Sequence, residues 1–195
     1  ILATFDLSGA TLGDYDVVVE NPATTTGMLA NGFRVVTPNM VRLTTSFGDI
    51  VMELVDDAPI TTANFLQYVE DDFYNGTIFH RVVAGFVVQG GGFLPGMIQP
   101  PGLRPAIMNE FSPTRSNVRG TVAMAKVGGN PDSATSQFFV NVADNSGNLD
   151  NQNGGFTVFA RVVQGMDVVD QIAAVAVDSN SLPLEDVLLI RAERE

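Results

Sequence analysis

From residue 41 onward the chain alternates apolar and polar positions. Val41, Leu43 and Thr45 lead to Phe47-Gly48-Asp49, and Ile50, Met52 and Leu54 alternate back out. This pattern predicts a hairpin. Pro59 suits the first turn of a helix, and Ile60, Ala63, Leu66 and Val69 in ITTANFLQYVEDD recur near helical spacing, predicting a helix with those residues inward. Asp71 and Asp72 oppose the negative end of its dipole and predict its stop. Short strand patterns follow at 77–83, 86–90, 120–125, 137–142 and 157–163, then a helix near 165–174 and a last strand at 186–192. Many short strands with two helices predict a mostly β protein built as a closed antiparallel barrel.

Residues 1–38 read differently. Tyr15, Val17 and Val19 alternate, and Asn21-Pro22 and Asn31-Gly32 are turn signals, so three short strands are expected there. So short a segment cannot bury enough apolar surface to stand alone. A boundary near Pro38 therefore separates an N-terminal β segment (1–38) from the main domain (39–195). The chain begins at Ile1, with no signal-peptide pattern before it, and is read as a piece of a longer protein.

Composition narrows the chemistry. The formal charge of -12 argues against nucleic-acid partners, because phosphate binding needs clustered Lys and Arg. No apolar run is long enough for membrane insertion. With no cysteine and a single histidine, His80, neither thiol catalysis nor the common Cys/His zinc sites are available, and no cofactor is called for.

One stretch stands out. Residues 79–93 read FHRVVAGFVVQGGGF, an apolar run interrupted by Arg81 and Gln89. An unpaired buried charge is prohibitive, so Arg81 either emerges at a strand end or borders a pocket. Arg81 and Gln89 fall on neighbouring strands across the Ala84-Gly85 turn, where they can stand side by side with Phe86 as an apolar wall. His80 points to the opposite strand face, which suits a structural role. The three glycines lack the spacing of a phosphate loop and suit a tight strand exit. The Asx-rich loop at 144–153 lacks the acidic spacing of an EF-hand.

Three blocks, YNGTIFHRVVAGFVVQGGGF, GTVAMAKVGGNPDSATSQFFVNVADN and GGFTVFARVVQGMDVVDQI, closely resemble in order and spacing the signature blocks of the cyclophilin family, over about residues 40 to 195. The SQFFVN and ADN segments look bacterial. The N-terminal segment is similar to the end of an immunoglobulin-like domain of the IPT/TIG type. The cyclophilin resemblance implies a closed eight-stranded β-barrel capped by two helices. It also implies peptidyl-prolyl cis-trans isomerase (rotamase) activity on proline-containing polypeptides, as in assisted protein folding. By position, Arg81 matches the catalytic arginine, with Gln89 holding it and Phe86 beside it. Phe139, Leu149 and Phe86 match the proline seat, while Ala125 and Gln137 match the substrate groove. Lys126 falls where the family binds peptide through a backbone group, so its side chain is expected to matter less.

Three positions depart from the family pattern. Val87 replaces a common methionine, making the seat smaller and stiffer. Phe156 keeps a ring where animal members have histidine. Asn148 stands where an aromatic residue usually closes the rim. These differences predict weak cyclosporin binding, and they raise a second reading, a non-catalytic module that binds proline peptides or a partner. The Ig-like resemblance and the acidic, cysteine-free composition lean toward a periplasmic or secreted bacterial protein, although a cytoplasmic one fits the same composition.

Overall fold

A computed structural model describes residues 39–195 in full and, before them, the backbone of two strands, β1 (Gly13–Glu20) and β2 (Thr26–Val35). These two pair antiparallel with each other. Asn31-Gly32, expected as a turn, falls inside β2, where the pairing shifts register between Tyr15↔Phe33 and Val17↔Leu29. The Asn21-Pro22 turn, the third strand and the Ig-like packing expected of residues 1–38 lie outside the described residues.

The predicted hairpin forms from β3 (Met40–Thr45) and β4 (Gly48–Leu54), in register from Met40↔Glu53 to Thr45↔Gly48. The Thr45 hydroxyl donates to the Gly48 carbonyl at 2.7 Å and accepts from the Phe47 N–H at 3.1 Å, which closes the turn locally. Helix α1 (Pro59–Glu70) follows with Pro59 in its first turn. Its residue Ala58 has no side chain to cap the free N–H groups. The Glu110 carboxylate supplies the cap from 50 residues away, accepting from the N–H groups of Ile60 and Thr61 and from the Thr61 hydroxyl.

The helix face is rotated from the predicted one: Val69 is inward and Leu66 packs partly buried against the core as expected, but Ile60 and Ala63 are not inward. The inward residues are Thr61, Phe65, Tyr68 and Val69, whereas Ile60 is 42% exposed and Ala63 is exposed. Counting aliphatic residues alone missed the aromatic pair, which is what the core takes up. The Phe65 ring sits 4.9–5.6 Å from those of Tyr74, Phe138 and Phe159.

The remaining strands are β5 (Thr77–Ile78), β6 (Arg81–Val83), β7 (Val87–Gly90), β8 (Thr121–Met124), β9 (Phe138–Asn141), β10 (Val158–Gln164) and β11 (Leu188–Arg194). They join β3 and β4 in one curled antiparallel sheet of order β5-β11-β3-β4-β10-β8-β9-β7-β6. The predicted strand 77–83 is broken in two at Phe79-His80, so nine strands appear where eight were expected. The sheet's first and last strands are the two halves of that one broken stave. Hydrogen bonding therefore does not close the ring, and the chain itself passes from one end to the other. At the break, Phe79 donates to the Val187 carbonyl and Val82 to that of Ser181.

Among the described residues three α-helices appear rather than two: α1, the four-residue α2 (Ser146–Leu149) and α3 (Met166–Ala173). The main core fills the inside of the sheet under α1 and α3. A smaller apolar cluster of Val87, Ala123, Phe139, Leu149 and Val158 forms apart from it, flanked by Phe86, Ala125 and Phe156.

Candidate active site

Strand register assembles the site. Arg81 on β6 pairs with Gln89 on β7, Gln89 with Phe139 on β9, Phe139 with Ala123 on β8, and Ala123 with Val158 on β10. Residues directly opposite in antiparallel strands share a face. One row therefore runs from cation to amide to aromatic to aliphatic across five strands. Three members of this row, Arg81, Gln89 and Phe139, line a cavity of about 380 Å3 together with Phe86, Val87, Ala125, Lys126, Asn148, Leu149, Gln152 and Phe156.

The apolar end is nearly dry: Val87, Phe139 and Leu149 are 2%, 4% and 5% exposed. Phe156 meets Phe139 edge-on, with ring centroids 5.7 Å apart. At the polar end the Arg81 guanidinium stands 6.0 Å from the Phe86 ring centroid, within reach of a cation–π attraction. Arg81 is half-buried, so it both emerges at the surface and borders the pocket.

The Gln89 amide donates to Gln137 Oε1 at 2.9 Å and approaches His80 Nε2 at 3.5 Å. Gln137 in turn lines an adjoining cleft of about 130 Å3 with Gln89, Ala125, Lys126, Val127, Ser133 and Thr135. Gly92 makes room for it, since a Cβ there would lie 2.6 Å from the Gln137 side chain. Gly91, with φ +77°, would place a Cβ 2.9 Å from Phe138 and Tyr74. Two of the three consecutive glycines thus answer to different neighbours.

His80 is not among the residues lining the cavity. Its ring stands edge-on to Phe93 at 4.8 Å. Burial holds its imidazole below the ordinary histidine value, with the Arg81 charge acting the same way and the Ile78 carbonyl and Gln137 acting against.

The far wall, residues 145–156, is built from polar side chains. Asp150 accepts from the Asn117 N–H and from Asn117 Nδ2, which also donates to the Phe156 carbonyl. Asn145 Nδ2 donates to the Phe86 carbonyl and to Asn141 Oδ1, both at 2.8 Å. The Lys126 ammonium donates to the carbonyls of Asn153 at 2.9 Å and Gly155 at 2.5 Å. It also lies 4.7 Å from the Phe156 ring centroid. Burial pushes this lysine below its usual range, opposed by the nearby Asp132 carboxylate. The Lys126 side chain thus turns to the loop carbonyls, a contact that its sequence position did not announce.

The structure gathers all ten residues singled out from the sequence. Nine line the main cavity and Gln137 lines the cleft beside it. Gln152 was missed. Its loop carries no apolar period that would have pointed to it.

A cyclophilin type peptidyl-prolyl cis-trans isomerase family model matches residues 40–194. The chain is 47% identical over 160 residues to a peptidyl-prolyl cis-trans isomerase of Acinetobacter baylyi, covering 79% of this chain and 84% of that protein. It is 50% identical over 159 residues to peptidyl-prolyl cis-trans isomerase B of Escherichia coli, covering 77% and 96%. Among solved structures, a cyclophilin type isomerase of Cryptosporidium parvum, crystallised in the presence of the dipeptide Ala-Pro, superposes with a TM-score of 0.68 at 23% identity. That match covers 80% of this chain and 98% of that one. A cyclophilin from Hirschia baltica gives 0.67 at 22% identity, covering 82% and 75%. The structural likeness carries the fold, the sequence matches carry the relationship, and the chain belongs to the cyclophilin-type peptidyl-prolyl cis-trans isomerase family.

Proposed function

We propose that the chain rotates X–Pro peptide bonds in extended or unfolded segments, seating the proline ring among Phe139, Leu149 and Phe156 and presenting Arg81 to the twisted amide. Rotation makes and breaks no covalent bond. Its barrier, about 18–20 kcal/mol for an ordinary peptide bond, comes from lost amide conjugation. A site lowers that barrier by binding the twisted state better than either planar one. Once conjugation is lost the amide nitrogen regains its lone pair, and a fixed donor beside it stabilises that state selectively. A guanidinium remains charged at working pH and offers several donors in a rigid plane.

The observation that carries this reading is the register row, which sets the Arg81 cation at the rim of a dry aromatic seat. The cation is half-exposed rather than sealed in, so substrate can displace water from it as it enters. A protease-coupled assay on an Ala-Pro tetrapeptide tests the reading. The intact chain is expected to accelerate isomerisation, and Arg81→Ala to lose on the order of 10²–10³ of that acceleration. If the peptide binds but neither protein accelerates exchange, the scaffold acts as a proline-peptide binding module. The exposed Asn148 at the rim is what favours that second reading. With an amide there rather than a ring, weak cyclosporin affinity is expected by fluorescence or calorimetric titration.

A further inference from the structure

Lys126 is the only lysine in the sequence and stands where the main cavity meets the adjoining cleft, lining both. Its ammonium faces protein oxygens, the carbonyls of Asn153 and Gly155, and the face of Phe156. Those two carbonyls converge because Asn153, Gly154 and Gly155 are successively left-handed, with φ of 51°, 73° and 74°. L residues seldom adopt that conformation, asparagine more readily than most. Two backbone oxygens turned toward one point repel each other unless a donor lies between them, and a cation is the strongest donor available. The other ties on this loop are neutral amides. Asn109 Nδ2 donates to the Gly154 and Gly155 carbonyls, and Asn153 Nδ2 to that of Val127. Phe156 follows the loop directly, and its N–H bonds to the Leu149 carbonyl. The position of that ring against Phe139 therefore depends on how residues 153–155 are held.

We propose that Lys126 is a positioning residue that latches residues 153–155 and so sets Phe156 against Phe139, fixing the width of the proline seat and its affinity for X–Pro peptides. The proposal rests on the isomerase reading for the identity of the ligand and assigns Lys126 no part in bond rotation. Its signature is a split between binding and turnover. Lys126→Met is expected to raise KM for an Ala-Pro tetrapeptide on the order of tenfold, the scale of losing hydrogen bonds to a charged group. The turnover number should change less than about twofold, because Arg81 is untouched. Lys126→Arg keeps the charge and donors and should recover most of the affinity.

A double-variant comparison with Phe156→Ala adds a second readout. If Lys126 acts through that ring, the KM of the combined variant stays near the larger single effect. Acetylation of folded protein with an N-hydroxysuccinimide ester gives a third, since Lys126 is the sole side-chain amine. Acetylated wild type should behave as Lys126→Met does, while Lys126→Arg should be indifferent to the reagent. Thermal melts of each variant, together with peptide dissociation constants from NMR titration, keep the test independent of turnover. An unchanged KM in Lys126→Met would overturn the latch, as would a loss confined to turnover or a combined variant whose effects multiply. A wild type that binds the peptide without turning it over would count against the isomerase reading alone, and the dissociation constants would still decide the latch.

Discussion

The two walls of the cavity are held by different physics. The strand wall carries Arg81, Gln89, Phe139, Ala123 and Val158 in one row. Strands β7, β9, β8 and β10 have ladders on both sides, while Arg81, on the sheet's last strand β6, is held by its ladder to β7. The loop wall carries Asn148, Leu149, Gln152 and Phe156, held by individual polar side chains: Asn117 to Asp150, Asn145 to the Phe86 carbonyl, and Lys126 to two loop carbonyls. A ladder spreads strain over many bonds, whereas a latch concentrates it in one. The reacting end of the substrate thus meets the wall that is hardest to deform. The wall facing it can vary by single residues, and here its rim carries the amide of Asn148.

The comparison breaks most visibly at the exit of β7. Gly91→Ala adds a left-handed penalty to an approach of 2.9 Å on Phe138 and Tyr74. Each of these costs on the order of 1–3 kcal/mol, so a loss of about 3 kcal/mol or more is expected by urea unfolding, with turnover falling as the strand wall shifts. On the loop side, Asn117 is fully buried and serves Asp150, Asn141 and the Phe156 carbonyl. Asn117→Ala takes this donor from the Phe156 carbonyl and one partner each from Asp150 and Asn141, which keep others, and is expected to cost about 1–3 kcal/mol. It should raise KM while leaving turnover near wild type, because the strand wall stays in place. A fall in turnover with KM unchanged would erase the division between the walls.

The smallest effect concerns pH. His80, behind the strand wall, is held below its ordinary value chiefly by burial. Between that depressed value and the ordinary one near about 6.5, the unfolded chain takes up a proton that the folded chain refuses, so stability falls as pH drops through this window. The depressed carboxyls of Asp144, Asp170 and Asp178 act only lower, below the ordinary carboxyl value near about 3.9. Urea midpoints should therefore fall between pH 7.5 and 5, and His80→Gln should flatten that slope. An unchanged slope would place the sensitivity elsewhere.

The same division explains what was legible in the sequence. Alternation and turn signals located the hairpin, both longer helices and nearly every strand, because period-two burial is written residue by residue. Arg81 and Gln89 were legible as polar breaks in an apolar run, and their pairing followed from the short Ala84-Gly85 turn. The break at Phe79-His80 was not legible, since it depends on hydrogen bonds from a segment about 100 residues away. Nor was the inward face of α1, which aromatic packing decides. The loop wall was least legible of all. Asn117 and Asn145 look like ordinary surface polar residues in sequence, and although Lys126 was placed at the site, only the fold reveals which carbonyls its side chain meets.

The central claim, that Arg81 carries turnover while the apolar seat carries binding, is tested most directly by two-dimensional NMR exchange. An Ala-Pro tetrapeptide would be titrated with wild-type chain and with Arg81→Ala. The account predicts that the wild type gives exchange cross-peaks between the cis and trans forms. It further predicts that the variant still shifts the peptide's proline resonances but shows no such cross-peaks. Exchange persisting in the variant would contradict the account, as would a variant that no longer binds the peptide.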